Sequence, residues 1–153
     1  MTTSLQQWAA TNLGIPVEQA PVWAISVRQP WAWAIAEGGK NIENRVWRSF
    51  VSGWAFLHVA KFDAAGYWEA MKERILRTSP RLEMIYPHRN MLKRGGVIGA
   101  IKVSPSIHNS SQSDNPWAFL NEWGIPISEF RRLPFLPCKG QLRWFKPKAE
   151  IPQ

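Results

Sequence analysis

Residues 25–61 read ISVRQPWAWAIAEGGKNIENRVWRSFVSGWAFLHVAK, and the hydrophobic period changes from one segment of this run to the next. With Val22–Ala24 in front of it, the apolar, β-rich stretch VWAISV has strand length. Gln29-Pro30 then opens a helix through PWAWAIAE, because proline's missing N–H would be unpaired in the first turn anyway. Gly38-Gly39 stops that helix. NIENRVW alternates, with Ile42, Asn44 and Val46 on one side and Glu43, Arg45 and Trp47 on the other. After a turn near Ser52-Gly53, WAFLHVA reads as another strand.

Working outward, residues 3–13 suit a short amphipathic helix with Leu5, Trp8, Ala9 and Leu13 near one face, ended by Gly14 and acting as an N-terminal lid or brace. On the other side, Asp63 is positioned to cap a helix through AAGYWEAMKERIL, and the basic stretch 80–94 is irregular. GVIGAIKV (96–103) is a strand whose glycines at 96 and 99 suggest a bulge or a tight bend. The polar run 104–116 is expected as a surface loop, followed by a short helix at 116–123. ISEFRRL and QLRWF supply two more strands, separated by LPFLPCKG. About six short strands with two to four inserted helices and no dividing linker imply an α+β fold, a single mixed β-barrel rather than a parallel βαβ sheet.

The chain has 153 residues, room for one core, and 19 Lys+Arg against 11 Asp+Glu give a formal charge of +8. That balance attracts phosphate-rich partners, although a solvated basic surface would look the same. Trp, of which there are ten, offers a large apolar body with an N–H and a flat stacking face. One to three are expected at a ligand site and the rest in the core. A lone cysteine, Cys138, excludes an intramolecular disulfide and fits a reducing compartment. The start, MTTSLQQWAATNLG, lacks the pattern of a signal peptide, and no stretch has the apolar length of a membrane span. A cytoplasmic protein that does not engage membranes is the expectation. His58, His88, His108 and Cys138 are scattered without ligand spacing, so neither a metal nor another cofactor is expected.

The run 25–61, the later GGVIGAIKV and the closing PCKGQLRWF together resemble, in order, the signature of the ASCH domain family, named for the activating signal cointegrator of the thyroid hormone receptor and related to PUA RNA-binding domains. The resemblance covers roughly residues 22–146, closest to the activating signal cointegrator homology type. It implies a PUA-like barrel at 21–148, with residues 1–20 as a helical extension and 149–153 as a tail. It also implies a cleft between the barrel and the helix after the first strand. Family members are linked to RNA metabolism, to DNA or RNA binding and, in one branch, to hydrolysis of N4-acetylcytidine. That branch places a Thr three residues after the matching lysine, where this chain has Glu43, so acyl transfer to that Thr has no counterpart here.

Candidate ligand-binding residues follow from both readings. Arg28, Gln29 and Trp31 stand at a strand-to-helix junction, where unpaired N–H groups favour an anion, although Gln29 as a helix cap and Trp31 as core are equally open. Lys40 follows the glycine pair, and Glu43 and Arg45 project about 7 Å apart from one strand face, at about 3.3 Å per residue. A surface ion pair is the plainer alternative. Trp47 shares that face and could stack a base, and Lys61 ends the next strand where the family keeps a basic residue beside its cleft.

The favoured function is a module that binds RNA, another single-stranded nucleic acid or a nucleotide-like small molecule, with the basic segments adding salt-sensitive affinity. The alternative is a hydrolase acting on a modified nucleoside or on RNA, with Lys40 as base or electrostatic stabiliser and Glu43 as proton carrier. A protein adaptor using exposed Trp and the basic tail is the third class. Oligomeric state is not legible.

Overall fold

The computed structural model describes residues 3–110 and 114–152. Seven strands form one curled sheet, a half-barrel, with helices and short 3-10 turns packed around it. In chain order they are α1 (Leu5–Leu13), β1 (Ala24–Val27), α2 (Trp31–Glu37), β2 (Ile42–Arg45), β3 (Gly53–Val59), α3 (Ala65–Thr78), β4 (Gly96–Val103), β5 (Ile107–His108), β6 (Trp123–Pro137) and β7 (Trp144–Phe145). The strand order is β2-β6-β4-β3-β1-β7, with β5 also paired to β6. The expected α+β barrel architecture is present. Among the described residues no helix is long and apolar enough to cross a membrane.

The central strands of the sheet are buried on both faces. In β3 every residue from Trp54 to Val59 is buried, the continuous run expected of a strand covered on both sides. Ala55, Leu57 and Val59 face one core, together with Ile25, Val27 and the α2 residues Trp31 to Ile35. Trp54 and Phe56 face a second core closed by Trp8, Ala9 and Leu13 of α1. That helix starts with a capping box, in which Ser4 and Gln7 exchange side-chain to backbone hydrogen bonds, and ends at Gly14 in the left-handed region. The expected brace is therefore integral to the core.

β1 runs parallel to β3, with Ala24 opposite Phe56 and Val27 opposite Val59, so the chain must cross over between them. Helix α2, buried along nearly its whole length, makes that crossover. The glycine pair then turns the chain into β2. A Cβ at Gly38 would lie 2.9 Å from the Ala34 carbonyl oxygen, and Gly39 has φ +75, a left-handed conformation that costs glycine little. The register shift expected near the β4 glycines is found between Val97 and Gly99.

Two local expectations are corrected. Asp63 does not cap α3: the N-cap is Ala64, without a side-chain cap, and Asp63 instead pairs with Arg89 and Arg94. No helix forms at 116–123. There, Asn44 donates to the Trp117 carbonyl at 2.8 Å and accepts from Phe119 N–H at 2.8 Å, while Asn115 accepts from Trp117 N–H at 2.9 Å. These side chains satisfy backbone groups that a helical ladder would otherwise use. β6 consequently begins at Trp123 and runs unbroken to Pro137, pairing with β2 at one end and β4 further on. The stretch expected as a loop contains β5, and its residues 111–113 lie outside the described residues.

Candidate ligand-binding cleft

A cleft of about 1370 Å³ opens where the end of β1, the start of α2 and all of β2 but Ile42 meet the 137–143 loop. Seven of the eight candidate residues line it: Arg28, Trp31, Lys40, Glu43, Arg45, Trp47 and Lys61. Gln29 does not. It is 2% exposed, accepting from Trp33 N–H at 2.9 Å and donating to the Lys93 carbonyl at 3.2 Å, so it satisfies a first-turn N–H of α2, whose N-cap is Pro30, and ties the helix to a loop.

The cleft floor is a chain of charges. Lys40 and Glu43, only 3% and 7% exposed, form a buried pair and not the surface pair that their spacing also allowed. The Lys40 ammonium donates to Glu43 Oε1 at 2.9 Å and to the Ile42 carbonyl at 2.6 Å. It also lies 5.2 Å from the centre of the Trp31 ring, whose face accepts a cation. The other carboxylate oxygen accepts from Arg45 Nε at 2.9 Å, and Arg45 reaches the Ser26 carbonyl at 2.8 Å, joining β2 to β1.

Burial alone would push the Glu43 pKa up, but Lys40 and Arg45 outweigh it and hold the carboxyl below its ordinary value. Glu43 is therefore ionised at neutral pH and has no proton to give. Lys40 commits two of its three donors to Glu43 and the Ile42 carbonyl and lies over the Trp31 ring. The cleft lining thus sets a fixed carboxylate acceptor beside the Arg45 guanidinium.

Sequence reading missed several groups here. Tyr67 of α3 lines the cleft with Arg28 5.4 Å from its ring, and burial raises its phenol pKa despite Trp31 and Arg28, so it stays a neutral donor. Ser26 Oγ and His58 Nδ1 are 2.8 Å apart, and His58 Nε2 is 2.8 Å from the Cys138 carbonyl. A carbonyl only accepts, so Nε2 carries the proton and Ser26 donates to Nδ1. Burial lowers the His58 pKa, against the opposing pull of the Cys138 carbonyl, and leaves the ring neutral. Gly140 closes over this pair, since a Cβ there would lie 2.6 Å from His58 Cε1. Burial also raises the Cys138 pKa and keeps its thiol protonated. Arg94 and Arg143 complete the rim. The sequence signal for them was only basicity, which does not say which cations converge. Among the described residues no group of His, Cys, Asp or Glu stands where it could hold a metal ion.

The model of the ASCH domain family matches residues 25–123, more than half of the chain and the part that builds the cleft floor. The chain belongs to the ASCH domain family. No curated protein matches it closely enough to count as a relative. The Cys138-Lys139-Gly140 wall lies beyond the matched segment of this ASCH domain, although it closes one side of the cleft.

Proposed function

We propose that this ASCH domain binds a nucleotide unit of single-stranded RNA in the cleft, reading the base edge with Glu43 and Arg45 and stacking the base on a wall aromatic. One observation carries the reading. An ionised carboxylate is clamped between two cations at the floor of a cavity walled by Trp31, Tyr67 and Trp47 and rimmed by Arg28, Lys61 and Arg143. Such a floor offers donor and acceptor together, the aromatic walls offer π-faces, and the rim attracts phosphate. We take residues 21–148 as the binding unit and residues 1–20 as a brace that buries Trp8. Within the family we place the chain with the activating signal cointegrator type, on the dense signature at 25–61, and in the cytoplasm, where its lone cysteine would stay reduced.

The test is fluorescence anisotropy of short labelled RNAs at two salt concentrations. Binding should weaken steeply with salt as Lys and Arg displace condensed counterions. No binding at low salt overturns the reading.

A further inference from the structure

Behind Trp47 a second, shallower groove of about 590 Å³ runs along the 47–52 segment, bounded by Trp23 and Trp144. Trp47 and Arg143 line both cavities, so the groove continues the cleft. Its aromatic faces are open: Trp23 is 39% and Phe50 71% exposed, unusual for groups of that size. Each is matched with a cation. Arg48 lies 4.7 Å from the Phe50 ring centre, Arg143 5.7 Å from that of Trp47 and Lys146 5.3 Å from that of Trp23. Among the described residues lining the groove none is acidic.

We infer that the groove is the continuation of a single-strand path, taking the RNA nucleotides that flank the one held in the cleft. This rests on the cleft reading above. A protein partner would gain little from a surface of one charge sign, whereas a single strand supplies what this surface lacks: negative charge at regular intervals and a flat face on every base. Trp23 and Phe50 stack bases, and Arg48, Arg143 and Lys146 meet the phosphates between them. The occupant is thus an oligonucleotide, and a mononucleotide would leave the groove empty. Trp47 separates the two compartments, and its edge contact with Trp144, at 6.5 Å between ring centres, holds it upright.

The experiment compares a labelled ribonucleoside monophosphate pool with a random-sequence RNA octamer, using wild type, the double variant Trp23→Ala/Phe50→Ala, the variant Phe50→Trp and Arg45→Ala. Thermal melts check each fold, which matters most at Trp23, where more than half of the residue is buried. Stacking predicts a loss of roughly fivefold or more for each aromatic removed, so the double variant should bind the octamer at least about 25-fold more weakly. Its mononucleotide affinity should match wild type, and Phe50→Trp should retain octamer binding. Unchanged octamer affinity in the double variant, with Arg45→Ala still impaired on both ligands, overturns the groove and leaves the cleft reading standing. Full affinity of Arg45→Ala for both ligands removes the cleft reading and with it the continuous path.

Discussion

Glu43 and Asp63 are both carboxylates held between two cations, yet they do different work. Glu43 sits between Lys40 and Arg45, all within six consecutive residues, at the floor of the large cleft. Asp63 takes its partners, Arg89 and Arg94, from 26 and 31 residues further on and pins the irregular stretch before β4 to the end of β3. Burial would raise both pKa values, and in both the paired cations prevail and lower them. The difference lies in the cations. The Lys40 side chain is 2% exposed and that of Arg45 22%, whereas those of Arg89 and Arg94 are 41% and 18% exposed. Lys40 cannot fall back on water if Glu43 is lost, whereas both partners of Asp63 can.

That contrast gives the largest expected effect. Glu43→Gln removes the charge but keeps the shape, stranding a buried ammonium, and should cost about 3–5 kcal/mol of unfolding free energy. Asp63→Asn leaves arginines that rehydrate in place and should cost about 1–3 kcal/mol. Urea denaturation of the two variants measures both, and a greater loss for Asp63→Asn would reverse the ranking of the clusters.

Binding should separate the clusters next. Arg45→Ala removes a charged hydrogen-bond donor from the cleft and should weaken RNA binding roughly tenfold or more, with modest loss of stability. Asp63→Asn should leave affinity essentially unchanged. Equal losses in an anisotropy titration would mean that the Asp63 cluster belongs to the binding surface too.

The same contrast explains what the sequence could disclose. The Glu43 cluster is local: alternation in NIENRVW put Glu43, Arg45 and Trp47 on one face, and the glycine pair brought Lys40 beside them. Its burial was not legible, because that depends on α2 and α3 packing over it from elsewhere in the chain. Asp63 looked like a helix cap, since local spacing allows one and its true partners are remote. The helix expected at 116–123 failed for the same reason, as its backbone groups were claimed by Asn44 from a strand more than 70 residues earlier in sequence. The Ser26–His58 pair had no local signal at all, since parallel pairing of β1 with β3 creates it.

Acid sharpens the comparison further. The folded pKa values of Glu43 and Asp63 lie below their ordinary 4.5 and 3.8, so the stability they give is complete above those values and is lost as pH falls through the lower folded ones. His58 behaves likewise from a higher start: its contribution is complete above its ordinary 6.5 and declines as pH falls below it toward the depressed folded value. Melting temperatures from neutral pH down should therefore show a shallow limb starting near 6.5, absent in His58→Gln, and a steeper one in the carboxylate range. Glu43→Gln should flatten that second limb more than Asp63→Asn, and identical limbs in the two variants would mean that the clusters are energetically alike.

Salt is the smallest effect and the most selective. The Debye length falls from about 10 Å at 0.1 M to about 3 Å at 1 M, so charges in contact with solvent lose most of their attraction while charges sealed from it keep theirs. The Asp63 carboxylate is itself only 1% exposed, but its field reaches arginines that solvent wets, so ions can compete for them. Raising NaCl to 1 M should thus narrow the stability gap between wild type and Asp63→Asn by about 0.5 kcal/mol, the scale of an exposed ion pair. The gap between wild type and Glu43→Gln should hold, because Lys40 is closed off by Trp31, the Ile42 carbonyl and Glu43 itself. Should the Glu43 gap narrow with salt as well, solvent ions reach the cleft floor in the free protein, and the clamp would have to be assembled by the ligand instead of waiting for it.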